Sequence, residues 1–242
     1  MNEINYFNVT FCFIVLFSCS AAANDSQEFT FIVEPAYTQE KGEWQINLGF
    51  TSPTYKNNIS TTLETSVSLE YGFTDVLQAE FSSSRSNELE EGIDADMGME
   101  YELGLSLMLT EQDNFMPQFT LVAGVIAEDS QYGYEAGLLY SYQILENNFI
   151  HGNFIYENID NESEVAINLA YAFTLDESWT LLAEIERNKE TSDDDSIEYV
   201  NTFSAGVVFE TESDIEIGLA YLVYNADTLQ DYSWQLKAAY EF

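Results

Sequence analysis

The sequence predicts an all-β protein, an antiparallel transmembrane β-barrel with twelve strands as the best count and ten to fourteen allowed. Three observations predict it. Apolar and small or polar residues alternate along most of the chain, the alternating stretches are about ten residues long, and aromatic residues gather at their ends. In the stretch 231–242, Tyr232, Trp234, Leu236, Ala238, Tyr240 and Phe242 fall on one face, and Ser233, Gln235, Lys237, Ala239 and Glu241 on the other. Side chains in a strand have a period of two, so this segment is apolar on one side and polar on the other. A chain built of such segments puts lipid outside and water inside.

The amino-terminal region fits the same destination. Val9 to Cys19 is an apolar core of secretory-signal length, and Ala21, Ala22 and Ala23 offer the small residues that a signal peptidase requires. Cleavage is expected after Ala23, making 1–23 a signal peptide, 24–42 an amino-terminal periplasmic tail or partial plug, and 43–242 the barrel. Cys12 and Cys19 both lie in the signal, so neither a disulfide framework nor thiol chemistry is expected in the mature chain. Beyond the signal the longest apolar run, Leu121 to Ala127, is far shorter than the roughly 20 residues of a membrane helix. A closed barrel is then the remaining way to span hydrocarbon.

The charge balance has other readings. With 43 acidic and 6 basic residues the chain carries a formal net charge of −37, which would also suit a disordered or halophilic soluble protein. Disorder conflicts with 15% aromatics and regular alternation. A soluble β-sandwich also alternates, but it has no use for Tyr, Trp and Phe along the face opposite a small, wet one.

Strands are expected near 43–55, 61–72, 76–85, 93–108, 116–127, 132–143, 149–158, 164–174, 179–188, 197–209, 214–224 and 231–242. The even count places both termini at the periplasm. Short turns carrying Asp, Asn or Ser, at 74–75, 111–114, 146–148, 176–178 and 212–214, belong at the periplasmic rim, since these side chains bond nearby backbone. The longer acidic connections Ser86 to Gly92 and Asn188 to Ser196 belong outside. The hairpins are weak copies of one another: 71–81, 171–185 and 207–221 each pass from an aromatic through a polar turn with Asp into a new strand. Pro35 argues against a central strand in EFTFIVEPAY (28–37), which leaves a tail, or a partial plug, as the reading.

Two phrases carry a family resemblance. EKGEWQINLGF (40–50) followed by EYGFTDVLQAEF (70–81) resembles the opening of the outer-membrane family named for the meta-pathway of phenol degradation. Tyr71, Gly72, Thr74 and Asp75 match that family's Tyr-Gly-x-Thr-Asp turn. The resemblance spans about forty residues and implies an outer-membrane channel or transporter-like barrel for small organic molecules. The closing Tyr-x-Phe resembles the signal read by the bacterial barrel assembly machinery, with Tyr240 and Phe242 as its residues and Lys237 where glycine is usual.

The functional content lies on the small-residue face. Met97, Met99, Tyr101, Leu103, Leu105 and Leu107 point to lipid, which sends Asp94, Asp96, Glu100 and Glu102 inward. The same parity puts Glu64, Glu70, Glu80, Glu135, Glu184, Glu186, Glu198 and Glu216 in the lumen, with Lys237 as the clear lumen cation. Acids facing hydrocarbon are costly, and acids lining a pore attract cations. Salt adaptation is the competing origin of the acidity. Gly49, Ser66, Ser68, Ser82, Gly98, Gly104, Gly124, Gly133, Gly137, Ala166, Ala170, Ser204, Gly206 and Gly218 would leave the lumen room for water.

The expected function is therefore a water-filled outer-membrane channel for small solutes or cations, with a non-conducting adhesion or structural barrel as the alternative. The expected partners are outer-membrane lipid and the assembly machinery, with no nucleic acid and the oligomeric state left open. No catalytic residue, metal site or cofactor is expected, beyond weak divalent cations at acidic loops such as Asp193-Asp194-Asp195. The single histidine, His151, has no serine next to it in sequence to form a hydrolase pair.

Overall fold

A computed structural model describes residues 29–54, 61–89, 97–113, 115–128, 131–160, 162–191, 196–226 and 230–242. The strands are β1 (Trp44–Thr54), β2 (Thr61–Thr74), β3 (Leu77–Leu89), β4 (Met97–Thr110), β5 (Gln118–Glu128) and β6 (Gln131–Leu145). They continue as β7 (Asn148–Ile159), β8 (Glu162–Asp176), β9 (Trp179–Thr191), β10 (Ile197–Glu210), β11 (Ile215–Ala226) and β12 (Gln230–Glu241). Each pairs antiparallel with its neighbours in sequence, and β12 returns to β1, closing a twelve-strand barrel. The seam is a full ladder from Gln45↔Glu241 to Thr54↔Tyr232. Trp44 and Phe242 extend it with reciprocal backbone bonds of 3.0 and 2.9 Å.

All twelve strands fall where the alternation predicts them. Leu48, Phe50, Phe81, Leu103, Leu105, Val125, Ile167 and Leu236 stand outward, and no residue of the described chain covers them. Closure leaves no unpaired strand edge, which is what permits such a surface to sit in lipid. Aromatic rings ring the end that carries the short turns, in cross-strand pairs such as Trp44 with Tyr71 (4.4 Å between centroids) and Trp179 with Phe209 (4.8 Å). At the other end, Tyr221 packs on Trp234 at 4.9 Å.

The turn chemistry is as the composition suggests. Ser178 N donates to the Asp176 carboxylate (2.9 Å), Val76 N to Thr74 Oγ1 (3.3 Å), and Asp214 takes a left-handed φ of 56°. The register slips just before the turn in β2, β4, β6 and β8, so a bulge marks the turn end of these four hairpins, while β10 and β11 pair without a shift.

The other rim departs from expectation. β3 runs on to Leu89 and β9 to Thr191, so the stretches beginning at Ser86 and Asn188, expected as loops, start as strand. Arg187 and Lys189 occupy outward positions of β9, and the Arg187 guanidinium lies 5.0 Å over the Tyr199 ring. Charged side chains suit strand positions that rise above the apolar band, where polarity alone reads as loop. Asp94, Asp96 and Asp193 to Asp195 lie outside the described residues.

Two tests follow. Boiled and unboiled samples should migrate differently in SDS gels, because the closed barrel resists detergent at room temperature. Identical mobility with a detergent-free soluble monomer would remove the barrel. Leu105→Arg, on the lipid face, should cost about 2–4 kcal/mol in urea titrations of refolded protein if it sits at the bilayer midplane.

Candidate functional site

Inside the barrel, β8 to β12 and β2 to β7 present different walls. Toward β8–β12 the inward residues Ala172, Leu182, Val208, Ala220, Leu222 and Ala239 form an apolar surface, joined by Phe149. Toward β2–β7 the wall carries Glu70, Glu80, Glu102 and Glu135 among Ser66, Ser68, Ser82 and Ser84. A cavity of about 350 Å³ opens beside this polar wall.

Residues 29–39 cross the lumen between the two walls. Phe29 and Phe31 meet edge to face at 5.7 Å and complete the apolar cluster. Burying a side chain of this size contributes about 1.5–3 kcal/mol. The rings fit because Gly206 and Gly218 carry no side chain. A Cβ on Gly218 would stand 2.3 Å from the Phe29 ring, and one on Gly206 2.4 Å from Phe31.

The backbone of the segment is bonded to wall side chains along its length. Glu184 Oε1 accepts from the amides of Phe31 (3.0 Å), Ile32 (3.1 Å) and Val33 (3.3 Å). Lys237 Nζ donates to the carbonyls of Thr30 (3.1 Å) and Phe31 (2.8 Å). Asn153, in the amide orientation that satisfies both groups, pairs with N and O of Glu34 at 2.7 Å each. Ala36 N donates to Ser141 Oγ (2.8 Å), while Gln118 (2.7 Å) and Thr120 donate to its carbonyl. Gln39 N donates to Gln78 Oε1 (2.8 Å). Pro35, which has no N–H to satisfy, fits between these anchors.

The segment enters at the turn rim through the two phrases that carry the family resemblance. Gly42 N donates to Gly72 O (2.8 Å), Gly72 N donates to Glu43 O (3.1 Å), and Lys41 N donates to the Asp75 carboxylate (3.3 Å). Gly42 has φ of 95°, and a Cβ on Gly72 would lie 2.0 Å from the Glu40 carbonyl. The glycines are there for a sharp turn and a close crossing.

The second feature is a row of acids. Cross-strand register sets Glu135 opposite Glu157, Glu157 opposite Glu164, Glu164 opposite Glu190, and Glu190 opposite Glu198. Directly opposed Cβ atoms lie about 4.5–5.5 Å apart, so five inward carboxylates follow one another across β6–β10. The Glu102 carboxylate reaches over Gly124, whose register partner is Glu135, and continues the row to β4. Glu100 pairs with Glu128 above it, and Glu70 with Glu80 on the next strands.

Among the expected lumen residues, Glu64 stands inward near the loop rim and Glu216 inward opposite Glu210 near the turns. Glu186 lies inward, with its carboxylate accepting from Asn188 Nδ2 at 3.3 Å. Three assignments change. Glu184 is only 4% exposed and is committed to the segment's amides, so it offers little to a passing ion. Glu70 is likewise engaged, by Asn47 (2.6 Å) and Gln78 (2.7 Å). The space at Gly206 and Gly218 holds phenyl rings instead of water. Glu157, Glu164 and Glu190 escaped the sequence reading, although their strand parity alone places them inward.

His151 is fully enclosed and faces Ser141 across the β6–β7 ladder, with Nδ1 2.9 Å from Oγ. Phe149 stacks on its ring at 6.5 Å and Tyr37 of the crossing segment meets it edge-on at 6.1 Å. The pair that sequence distance hid is thus a neighbour pair in the wall. Tyr240 and Phe242 stand outward, their rings stacked at 5.5 Å.

Burial pushes the Glu34 carboxyl well above the usual glutamate range, and Glu80, Glu135, Glu70 and Glu102 push it the same way. Lys237 also lines this cavity and opposes them. The docked segment therefore holds this proton more tightly than the undocked one. Docking is strongest below the ordinary glutamate pKa and weakens as pH rises toward the raised value. Hydrogen exchange at Phe31–Val33, corrected for its intrinsic pH dependence, should speed up as pH rises from the ordinary glutamate range toward the raised value of Glu34. Glu34→Gln should flatten that response. Gly206→Val and Gly218→Val should raise exchange at the same amides about tenfold, equal to 1.4 kcal/mol, in barrels that remain heat-modifiable. Unchanged exchange would show that the rings do not hold the segment.

No protein-family model and no curated protein matches the chain. Solved structures do. An outer membrane channel from Pseudomonas putida F1 superposes with TM-score 0.71 at 10% identity, over 86% of this chain and 98% of that one. The KdgM porin aligns with TM-score 0.59 at 13% identity, over 82% and 99%. The translocator domain of the autotransporter NalP from Neisseria meningitidis aligns with TM-score 0.56 at 10% identity, over 84% and 90%. The chain has the fold of outer-membrane β-barrels.

Proposed function

We propose that the chain is a bacterial outer-membrane channel for small solutes, with a lumen that favours cations. The observation that carries this reading is the in-register row Glu135, Glu157, Glu164, Glu190 and Glu198, continued by Glu102. Like charges set directly opposite one another cost stability, so a fold gains nothing from this row as structure. Placed around a wet passage, the same row concentrates cations and repels anions. The names of the P. putida channel and the KdgM porin support transport, and the resemblance at 40–50 and 70–81 supports the channel family named for phenol degradation. In this reading the turn rim is periplasmic, the acidic row faces the outer mouth, and Tyr240 and Phe242 present the last strand to the assembly machinery. This reading assigns the chain no enzymatic role, and it is supported by Ser141 and His151 both being fully enclosed while the segment is docked.

The crossing segment favours a second reading, a barrel that does not conduct and serves as a structural or adhesive element. Planar-bilayer recording separates the two. A KCl gradient should give a reversal potential of cation sign, larger at 0.1 M than at 1 M, because the Debye length falls from about 10 Å to about 3 Å. Joint replacement Glu102→Gln, Glu135→Gln and Glu157→Gln should lower the cation-to-anion permeability ratio several-fold. Anion preference, or silence from every folded preparation, would leave the structural barrel ahead.

A further inference from the structure

A solute following the acidic row inward meets residues 29–39, and the way these are held sets what happens next. Among the described residues, 29–43 form no strand ladder with the wall. Their backbone is bonded mainly to wall side chains: Glu184, Lys237, Asn153, Ser141, Gln118 and Gln78. Their two phenyl rings rest in niches opened by glycines. A strand of the barrel could leave only by tearing a ladder. This segment can leave by exchanging side-chain bonds for water, while the ladders around it stay whole.

The segment also has a swivel. Gly42 turns the chain out of the lumen with φ of 95°, and Gly72 gives it clearance at the rim. Beyond the swivel the chain becomes β1 and is fixed by the seam. The inner end is fixed by opposite groups acting on one stretch of backbone. The Glu184 carboxylate takes the three consecutive amides of Phe31, Ile32 and Val33, and the Lys237 ammonium takes the carbonyls of Thr30 and Phe31, which belong to the first two of the same peptide groups. A carboxylate on successive amides is a charge-assisted contact, stronger than its neutral counterpart.

We propose that residues 29–39 form a gate, latched at its inner end by Glu184 and Lys237 and swinging at Gly42–Gly72. The gate rests on the channel reading and adds its regulation. Closed, the segment covers the apolar wall of Leu182, Val208, Ala220 and Leu222; open, it uncovers that wall and widens the path beside the polar one.

The experiment is single-channel recording of the processed, refolded chain. Ala36→Cys with Ser141→Cys forms a lock, since the native amide-to-hydroxyl contact of 2.8 Å keeps the two backbones within disulfide reach. Oxidation joins the two thiols with loss of two electrons to an added oxidant such as diamide, and dithiothreitol returns them. Oxidised barrels should show open probability at least tenfold below reduced ones, with recovery on reduction. Glu184→Gln and Lys237→Met, each without the lock, should raise open probability at least several-fold over wild type. Equal currents from oxidised and reduced barrels would make the segment a fixed part of the wall, overturning the gate while the channel stands. A working lock with unchanged Glu184→Gln and Lys237→Met would overturn the latch. Silence from every variant in heat-modifiable barrels would fell the channel reading and the gate with it.

Discussion

Closure of the sheet between β1 and β12 is the contact on which the rest of the molecule depends. Hydrocarbon supplies no partner for a peptide N–H or C=O, so the last ladder must be complete before the outer face can stand in lipid. The run from Gln45↔Glu241 to Thr54↔Tyr232, finished by the paired Trp44 and Phe242, completes it. Closure fixes parity at the same time. Once the ring is shut, each strand has one side for lipid and one for the interior, and the acids have a single place to go.

The interior is then a problem in packing and charge. Small inward residues on β10 and β11 leave a hollow, and Phe29 and Phe31 fill it from outside the sheet. On the other side Asn47 and Gln78 donate to Glu70, and Ser68 donates to Glu80. Among the described residues the row from Glu135 to Glu198 has no comparable set of cations opposite it, since Lys237 is turned to the crossing segment.

Most of the wall could be read from the chain because period-two alternation needs only neighbouring residues. Strand positions, lipid-facing residues and the inward parity of Glu100, Glu102, Glu135 and Glu186 follow from it. Register between strands does not, since it depends on where bulges fall, as at Gly72/Thr74 and Met108/Thr110. The row of opposed glutamates and the Ser141–His151 pair are register effects. Alternation is also silent on what fills a lumen. Gly206 and Gly218 read equally well as room for water or for a ring, and Glu184 as a pore acid or an anchor. Only the partner segment decides, and EFTFIVEPAY offered Pro35 as its one local clue. Lys237, the departure from the usual closing pattern, was visible throughout; its reason lies more than two hundred residues away, at Thr30 and Phe31.

That distance has a consequence for biogenesis. Residues 29–39 are synthesised ahead of every strand, whereas Lys237 belongs to the strand that shuts the ring. Its grip on Thr30 and Phe31 can form only when the nascent sheet has curled far enough to bring β12 alongside β1. Threading and closure are therefore competing events with an order. A ring that curls around the segment traps it in place, while a ring that shuts first must admit two phenyl rings through its turn end afterwards. The lysine makes the first order self-reinforcing, because the same strand that seals the wall also secures what the wall has enclosed.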